Sequence, residues 1–308
     1  MSLFLATVQL QLELFLLMLI GFVAMKLGLI TPSAQRSFSD ILIYVVLPCN
    51  IINSFTSGVD VSPSLLQNCA LAFLFSFVIQ MFATYASKWL FRSWPQEKGR
   101  VASYGLIVSN SSFIGIPVAE HLYGALGVLY TAVFQIPVRF TMWSAGLALF
   151  TSVDAKEAFK NVVTHPCILA CVAGFVMMLA HFSLPGFMGD AVTALSRCTV
   201  PFSMLVIGAI LANANWKQLL RADVLLFCLY RLILFPLLVL AILRLLHAND
   251  VLSGVTVLLT AMPAGSTTAI LPQKYNCDAA YGAALIFMST LLSIATIPLL
   301  SFLNAAFL

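Results

Sequence analysis

Chemistry in this chain can come only from a few polar residues set inside apolar text. The stretch Ser109-Asn110-Ser111-Ser112-Phe113-Ile114-Gly115-Ile116-Pro117 places five small or polar residues and a proline in one apolar span. Pro117 removes a backbone donor and clashes with the carbonyl four residues back, while the hydroxyls and the amide offer freed groups other partners. In lipid such a break survives only where it is buried in protein or lines a cavity. Similar text returns as Pro263-Ala264-Gly265-Ser266-Thr267-Thr268-Ala269-Ile270-Leu271-Pro272. Two interrupted membrane helices at matching places of one chain point to a transporter's binding site. The second half-helices would aim unpaired N–H groups at mid-membrane, a ready place for a carboxylate. Asn110, Ser111, Ser112, Gly265, Ser266, Thr267 and Thr268 would surround it, with Gly115, Pro117, Pro263 and Pro272 marking the breaks. Asn110 is expected to face the ligand, because an amide both donates and accepts.

Three arginines fall inside apolar spans: Arg139 and Arg231 near the centres and Arg197 in an outer half. A charge at the bilayer centre costs at least about 2.5 to 3.5 kcal/mol on the insertion scale, so each needs a partner. The sequence reading counts Glu13 and Asp223 as nearby acids, neither at the depth of Arg139 or Arg231. Two readings stand for each arginine: it bonds carbonyls freed at a break, or it attracts an anion. Gln135 lies one turn before Arg139 on the same face and could orient a ligand beside it. His165, Cys167 and Cys171 are a poor metal set without a second pair, so no metal is expected. HExxH, GxSxG and phosphate-loop patterns are absent, and neither an enzyme nor a cofactor is implied.

These residues need apolar helices to position them, and the composition supplies them. The 308 residues are 61% hydrophobic and 8% charged, with a mean hydropathy of +1.03. So few charges cannot cover a soluble globule, and the net charge of +4, scattered over short loops, gives no nucleic-acid surface. The seven cysteines form no CxxC pair and read as buried thiols. The first apolar segment contains Glu13 and lacks a small-x-small cleavage site, so it is expected to stay as a membrane helix. Apolar runs predict ten spans, at 8–27, 38–55, 65–90, 101–123, 127–150, 166–182, 187–211, 219–246, 251–276 and 279–308.

On this count Lys26, Arg36, Lys88, Arg92, Lys98, Arg100, Lys156, Lys160, Lys217, Arg221 and Lys274 share one side, and Arg244 stands alone on the other. The positive-inside rule then puts both termini outside a cell (inner) membrane. Leu47-Pro48-Cys49-Asn50 and Val200-Pro201-Phe202-Ser203 occupy the second and seventh spans. The distance is 69 residues from Pro48 to Pro117 and 71 from Pro201 to Pro272. Two five-helix repeats, 1–150 and 165–308, would therefore run in opposite orientations, since an odd number of spans inverts the second copy.

The texts Asn110-x-x-x-x-Gly115-Ile116-Pro117, Ala261-Met262-Pro263-x-Gly265 and Lys274-Tyr275-Asn276, with Leu47-Pro48 and Gln135, resemble the auxin efflux carrier family. That family includes plant carriers and bacterial malonate-type carriers. The resemblance implies an all-α membrane fold of ten helices in inverted repeats, with helices 4 and 9 crossing at their breaks. It also implies a scaffold of helices 1, 2, 6 and 7 beside a mobile domain of helices 3–5 and 8–10, and a substrate site at Asn110 and Gln135. The long loop between helices 5 and 6 of the plant carriers is reduced here to 151–165, so regulation through that loop is not expected, and the resemblance does not carry auxin over as substrate. The expectation is an elevator-like secondary carrier of small mono- or dicarboxylates, with a homodimer through the scaffold helices. Its rivals are a sodium-coupled carrier of the bile-acid type and a non-transporting membrane receptor.

Overall fold

The computed structural model describes residues 2–56, 62–182, 184–212, 219–246, 249–275 and 277–306. Every regular element among them is helical. Helix α1 (Ser2–Lys26) is followed by α2 (Pro32–Ile41), which passes through a π turn, Leu42–Val46, into α3 (Leu47–Thr56). Thr31 and Ser62 cap α2 and α4 (Pro63–Leu90) through their hydroxyls, each just ahead of a proline that fits the first helical turn. Then come α5 (Gln96–Ile107), a π turn at Ser111–Gly115, and α6 (Ile116–Thr141), which continues through Met142–Gly146 to Leu149. The second half holds α7 (Ala155–Val163), α8 (Pro166–Leu179), α9 (Gly186–Arg197) and α10 (Thr199–Leu211). Helix α11 (Ala222–Leu229) runs through the π turn Tyr230–Leu234 into α12 (Phe235–Leu245), and α13 (Asp250–Thr260), α14 (Thr267–Lys274) and α15 (Ala279–Ala306) complete the chain.

Among the described residues, seven continuous helical stretches are long and apolar enough to cross a membrane, and eight if α7 and α8, bent by 54°, count as one. The sequence expectation of ten differs for a physical reason. Helices α5, α13 and α14 have 12, 11 and 8 residues, so each reaches only about 12 to 18 Å at 1.5 Å per residue. The stretch Ser111–Leu149, in contrast, has 39 residues, about 58 Å of helix, or nearly twice a hydrocarbon core. It turns at Gly124, whose φ of +62° suits a residue without Cβ. Lys217, Asn276 and Leu308 lie outside the described residues.

The elements pack closely where small residues let backbones meet. A Cβ on Gly21 of α1 would fall 2.2 Å from the Leu205 carbonyl oxygen of α10, and one on Gly208 would fall 1.9 Å from the Met18 carbonyl oxygen. Such small-residue seams are how helices associate in lipid, where apolar side chains gain little by leaving the solvent. The largest apolar core runs between α1, α3, α4, α6, α10, α12 and α13, and a second joins α5, α11 and α15. Leu12, Leu16 and Leu19 on α1 and Phe73, Leu74, Phe77 and Val78 on α4 face outward, as lipid-facing surfaces require.

Candidate functional site

The two helix breaks meet. Ser109 and Ala264 form an antiparallel bridge, in which the Asn110 N–H donates to the Pro263 carbonyl (2.7 Å) and the Gly265 N–H donates to the Val108 carbonyl (2.9 Å). Each extended break thus supplies what the other lost when its helix stopped, as buried backbone requires. A Cβ on Gly265 would fall 3.2 Å from the Ser109 carbonyl oxygen, so glycine lets the strands approach. The Ala264 N–H donates to Ser289 Oγ on α15 (3.1 Å). Tyr104 of α5 donates to Thr267 Oγ1 of α14 (2.9 Å), tying the half-helices across the crossing.

Arg231, 2% exposed on the π turn of the α11–α12 span, donates to the Met262 carbonyl (2.9 Å) and to the Leu106 carbonyl (2.9 Å). These carbonyls flank the breaks, one on each chain segment. Of the two readings open for the arginines, Arg231 takes the architectural one.

Arg139 is arranged differently. Its Nη2 donates to Ser112 Oγ (2.6 Å) and its Nη1 approaches Met142 Sδ (3.7 Å), while its buried Nε has no acceptor. Among the described residues the only ion pairs join Asp223 to Lys98 and Arg221, so no carboxylate balances Arg139 there. One turn earlier, Gln135 is 4% exposed and neither amide atom has a hydrogen-bond partner. The buried hydroxyls of Ser111 and Thr268 are likewise unpartnered. Asn110, buried at the head of the π turn, makes no side-chain cap, and nor does Ser266 at the head of α14. Buried polar atoms are nearly always bonded, so the open donors and acceptors beside Arg139 make the crossing the candidate binding site.

The other marked residues fall around the crossing in distinct roles. Pro263 lies in the extended break. Gly115 closes the π turn against Leu259, Pro117 is the second residue of α6, and Pro272 lies inside α14. The proline that removes a helix bond is therefore beside the break and not at it. His165 accepts the Cys167 N–H through Nδ1 (3.2 Å) and so caps α8.

The sequence reading misses Glu120, although it stands within a span three residues after Pro117. Asn50 Nδ2 donates to Glu120 Oε2 (3.1 Å) and to Ser196 Oγ (3.0 Å), joining α3, α6 and α9. The signal for it is an acid in apolar text opposite the Leu47-Pro48-Cys49-Asn50 motif. It also passes over Tyr104, which ordinary aromatic packing hides.

A polytopic helical protein whose broken helices cross beside an unbalanced cation has the build of a carrier. A family model described as membrane transport protein matches residues 7–165 and 158–301. The chain belongs to this family, which is that of the auxin efflux carriers, and it is a membrane transporter. It is 27% identical over 307 residues to a Methanothermobacter thermautotrophicus protein named "Uncharacterized transporter", covering 97% of this chain and 98% of the relative. A second protein named as an uncharacterized transporter, from Methanocaldococcus jannaschii, is 22% identical over 292 residues, covering 92% and 94%. A Rhizobium meliloti protein named "Putative malonate transporter" is 26% identical over 216 residues, covering 67% and 66%.

Proposed function

We propose that this transporter is a secondary carrier of small organic anions, mono- or dicarboxylates, bound at the crossing of the two breaks. The observation that carries the reading is the Arg139 guanidinium, without a carboxylate partner among the described residues, beside the unbonded Gln135 amide and the Ser111 and Thr268 hydroxyls. A carboxylate would bond Arg139 and Gln135 at one oxygen and the first N–H groups of the π turn at the other, since a helix start leaves its first N–H groups open, whereas at the head of α14 the Thr268 N–H already donates to the Gly265 carbonyl (2.9 Å). Asn110, Ser112, Gly265, Ser266 and Thr267 complete the lining. The name of the Rhizobium meliloti relative agrees with a substrate of this class.

The same reading counts each broken helix as one span and divides Ser111–Leu149 at Gly124, giving ten spans in two inverted repeats, 1–150 and 165–308. Helices 1, 2, 6 and 7 form the scaffold, and the remaining six carry the site across the bilayer in an elevator-like movement. Both termini face outward from the cell membrane, and a homodimer through the scaffold belongs to the same proposal. The test is a counterflow screen of labelled carboxylates, malonate, succinate, pyruvate and benzoate among them, in proteoliposomes. Exchange of one of them that is lost in Asn110→Ala supports the reading, and no carboxylate exchange by folded protein overturns it.

A further inference from the structure

A second polar site lies away from the crossing. Glu120 sits on α6, and the two side chains that hold it belong to other spans: Asn50 on α3 and, through Asn50, Ser196 on α9. Asn50 is 1% exposed, and its amide oxygen has no partner. A seam of hydroxyls continues from there. Thr199 and Ser203 follow Ser196 at helical spacing, both are buried, and neither hydroxyl is hydrogen-bonded. Helix α10 packs against the π turn at Ser111–Gly115, where the Ser111 hydroxyl is also open. Ser196 to Ser203 is seven residues, about 10 Å of helix, and the helix that carries Thr199 and Ser203 is the one packed on that π turn.

We propose that Glu120 is the proton-coupling group of this carrier, held by Asn50 and Ser196, with Thr199, Ser203 and Ser111 lining a hydroxyl path from it to the crossing. The inference rests on the carrier reading above. A proton from the outer water forms an O–H bond with the Glu120 carboxylate, and the same bond breaks when the proton leaves on the other side, so charge and atoms balance. An amide N–H, not an oxygen, faces the carboxylate, which suits a proton better than a metal ion that needs several oxygens. Glu120 is half-buried, so holding its carboxylate charged there costs part of its hydration, and one proton removes that cost. Glu120 moves with the site while Asn50 and Ser196 stay with the scaffold, so their bond must break in each cycle, and a neutral acid releases it more readily than an anion.

Few other charged groups can take this role. On the elements packed here they are His121 on α6, Cys49 on α3, Asp190 and Arg197 on α9, Asp250 on α13, Glu13 on α1, and the inner-end Lys88 of α4 and Lys156, Glu157 and Lys160 of α7. Arg139, Tyr123 and Tyr130 on α6, Cys69 and Tyr85 on α4, Lys26 on α1, Cys198 between α9 and α10, and Cys167 and Cys171 on α8 stand on the same elements. His121, Asp190, Arg197, Asp250 and Glu13 are exposed.

The experiment has two arms. Infrared difference spectra of purified protein, taken as the pH is stepped through the neutral range, should show a carboxylic-acid band that Glu120→Gln removes and Asn50→Ala shifts. In proteoliposomes with labelled malonate as the probe, an inwardly directed pH gradient should drive accumulation above the outside level. Glu120→Gln should lose that accumulation out of proportion to any loss of exchange. Absence of the band from the unmodified protein, or its persistence in folded Glu120→Gln, overturns the proposal whatever malonate does. Accumulation by Glu120→Gln equal to that of the unmodified protein also overturns it. Failure of malonate to exchange at all counts against the carboxylate reading and leaves the infrared arm to decide the proton site.

Discussion

Arg139 and Arg231 are the same residue type at similar depth in the sequence, yet their surroundings differ in kind. Arg231 saturates two carbonyls at the crossing, whereas Arg139 has a serine hydroxyl, a thioether and an open Nε. Arg231→Gln should therefore lower the midpoint of thermal unfolding in detergent, because two buried acceptors lose a charged donor at about 1 to 3 kcal/mol each. Arg139→Gln should leave that midpoint nearly unchanged and abolish carboxylate exchange. Equal losses of stability in both would place Arg139 with the architecture. Asn110→Ala should weaken binding by about one to two powers of ten, the worth of one hydrogen bond to a charged group, as read by calorimetry with the transported anion. The residue types at this site were legible in the sequence, because polar side chains are rare in this text. Which arginine served which purpose was not, since the acceptors of Arg231 stand 125 and 31 residues away.

At the scale of elements, the prolines pointed to the right neighbourhood but not to the position of the break. Pro117 directly follows the π turn, the seventh residue of the continuous stretch Ser111–Leu149, so its missing N–H falls where the π turn passes into α6. Pro272 lies inside α14 and frees the Thr268 carbonyl four residues back. Gly282 of α15 lies against that carbonyl, with a Cβ placed there only 2.2 Å from the oxygen. Gly282→Val should therefore separate α14 from α15 and give protein that elutes as aggregate on size exclusion. A monodisperse variant of normal stability would show that the contact is dispensable. The interruptions themselves are set by the pairing of 108–110 with 263–265, a tertiary event invisible to any local pattern. Gly124, in contrast, was legible: the sequence reading ends one span at 123 and begins the next at 127, and the helix turns at the glycine between them.

For the whole molecule, composition alone fixed the class, since so apolar a chain has no soluble alternative. Orientation is the part still carried by the lysines and arginines. Impermeant thiol reagent applied outside cells should miss Lys98→Cys and should label a cysteine added after Leu308, in a background without the native cysteines. The opposite pattern would reverse the bundle. Lys98 is held by Asp223 (3.3 Å) and lies over the Tyr281 ring, so its side of α5 is tied to α11 and α15. The count of spans was less legible than the class, because hydropathy treats two short helices meeting end to end as one.

The bridge between Ser109 and Ala264 also sets a schedule for synthesis. Its two sides stand 155 residues apart, so at about 5 to 20 residues per second the first break waits roughly 8 to 30 seconds for its partner to leave the ribosome. During that interval α5, 12 residues long, is too short to cross about 30 Å of hydrocarbon, and the polar groups of 108–110 have no second strand. The nascent first half must therefore be sheltered by the insertion machinery or hold its broken helix near the interface. Entry of that helix to its final depth becomes one of the last steps in making the protein.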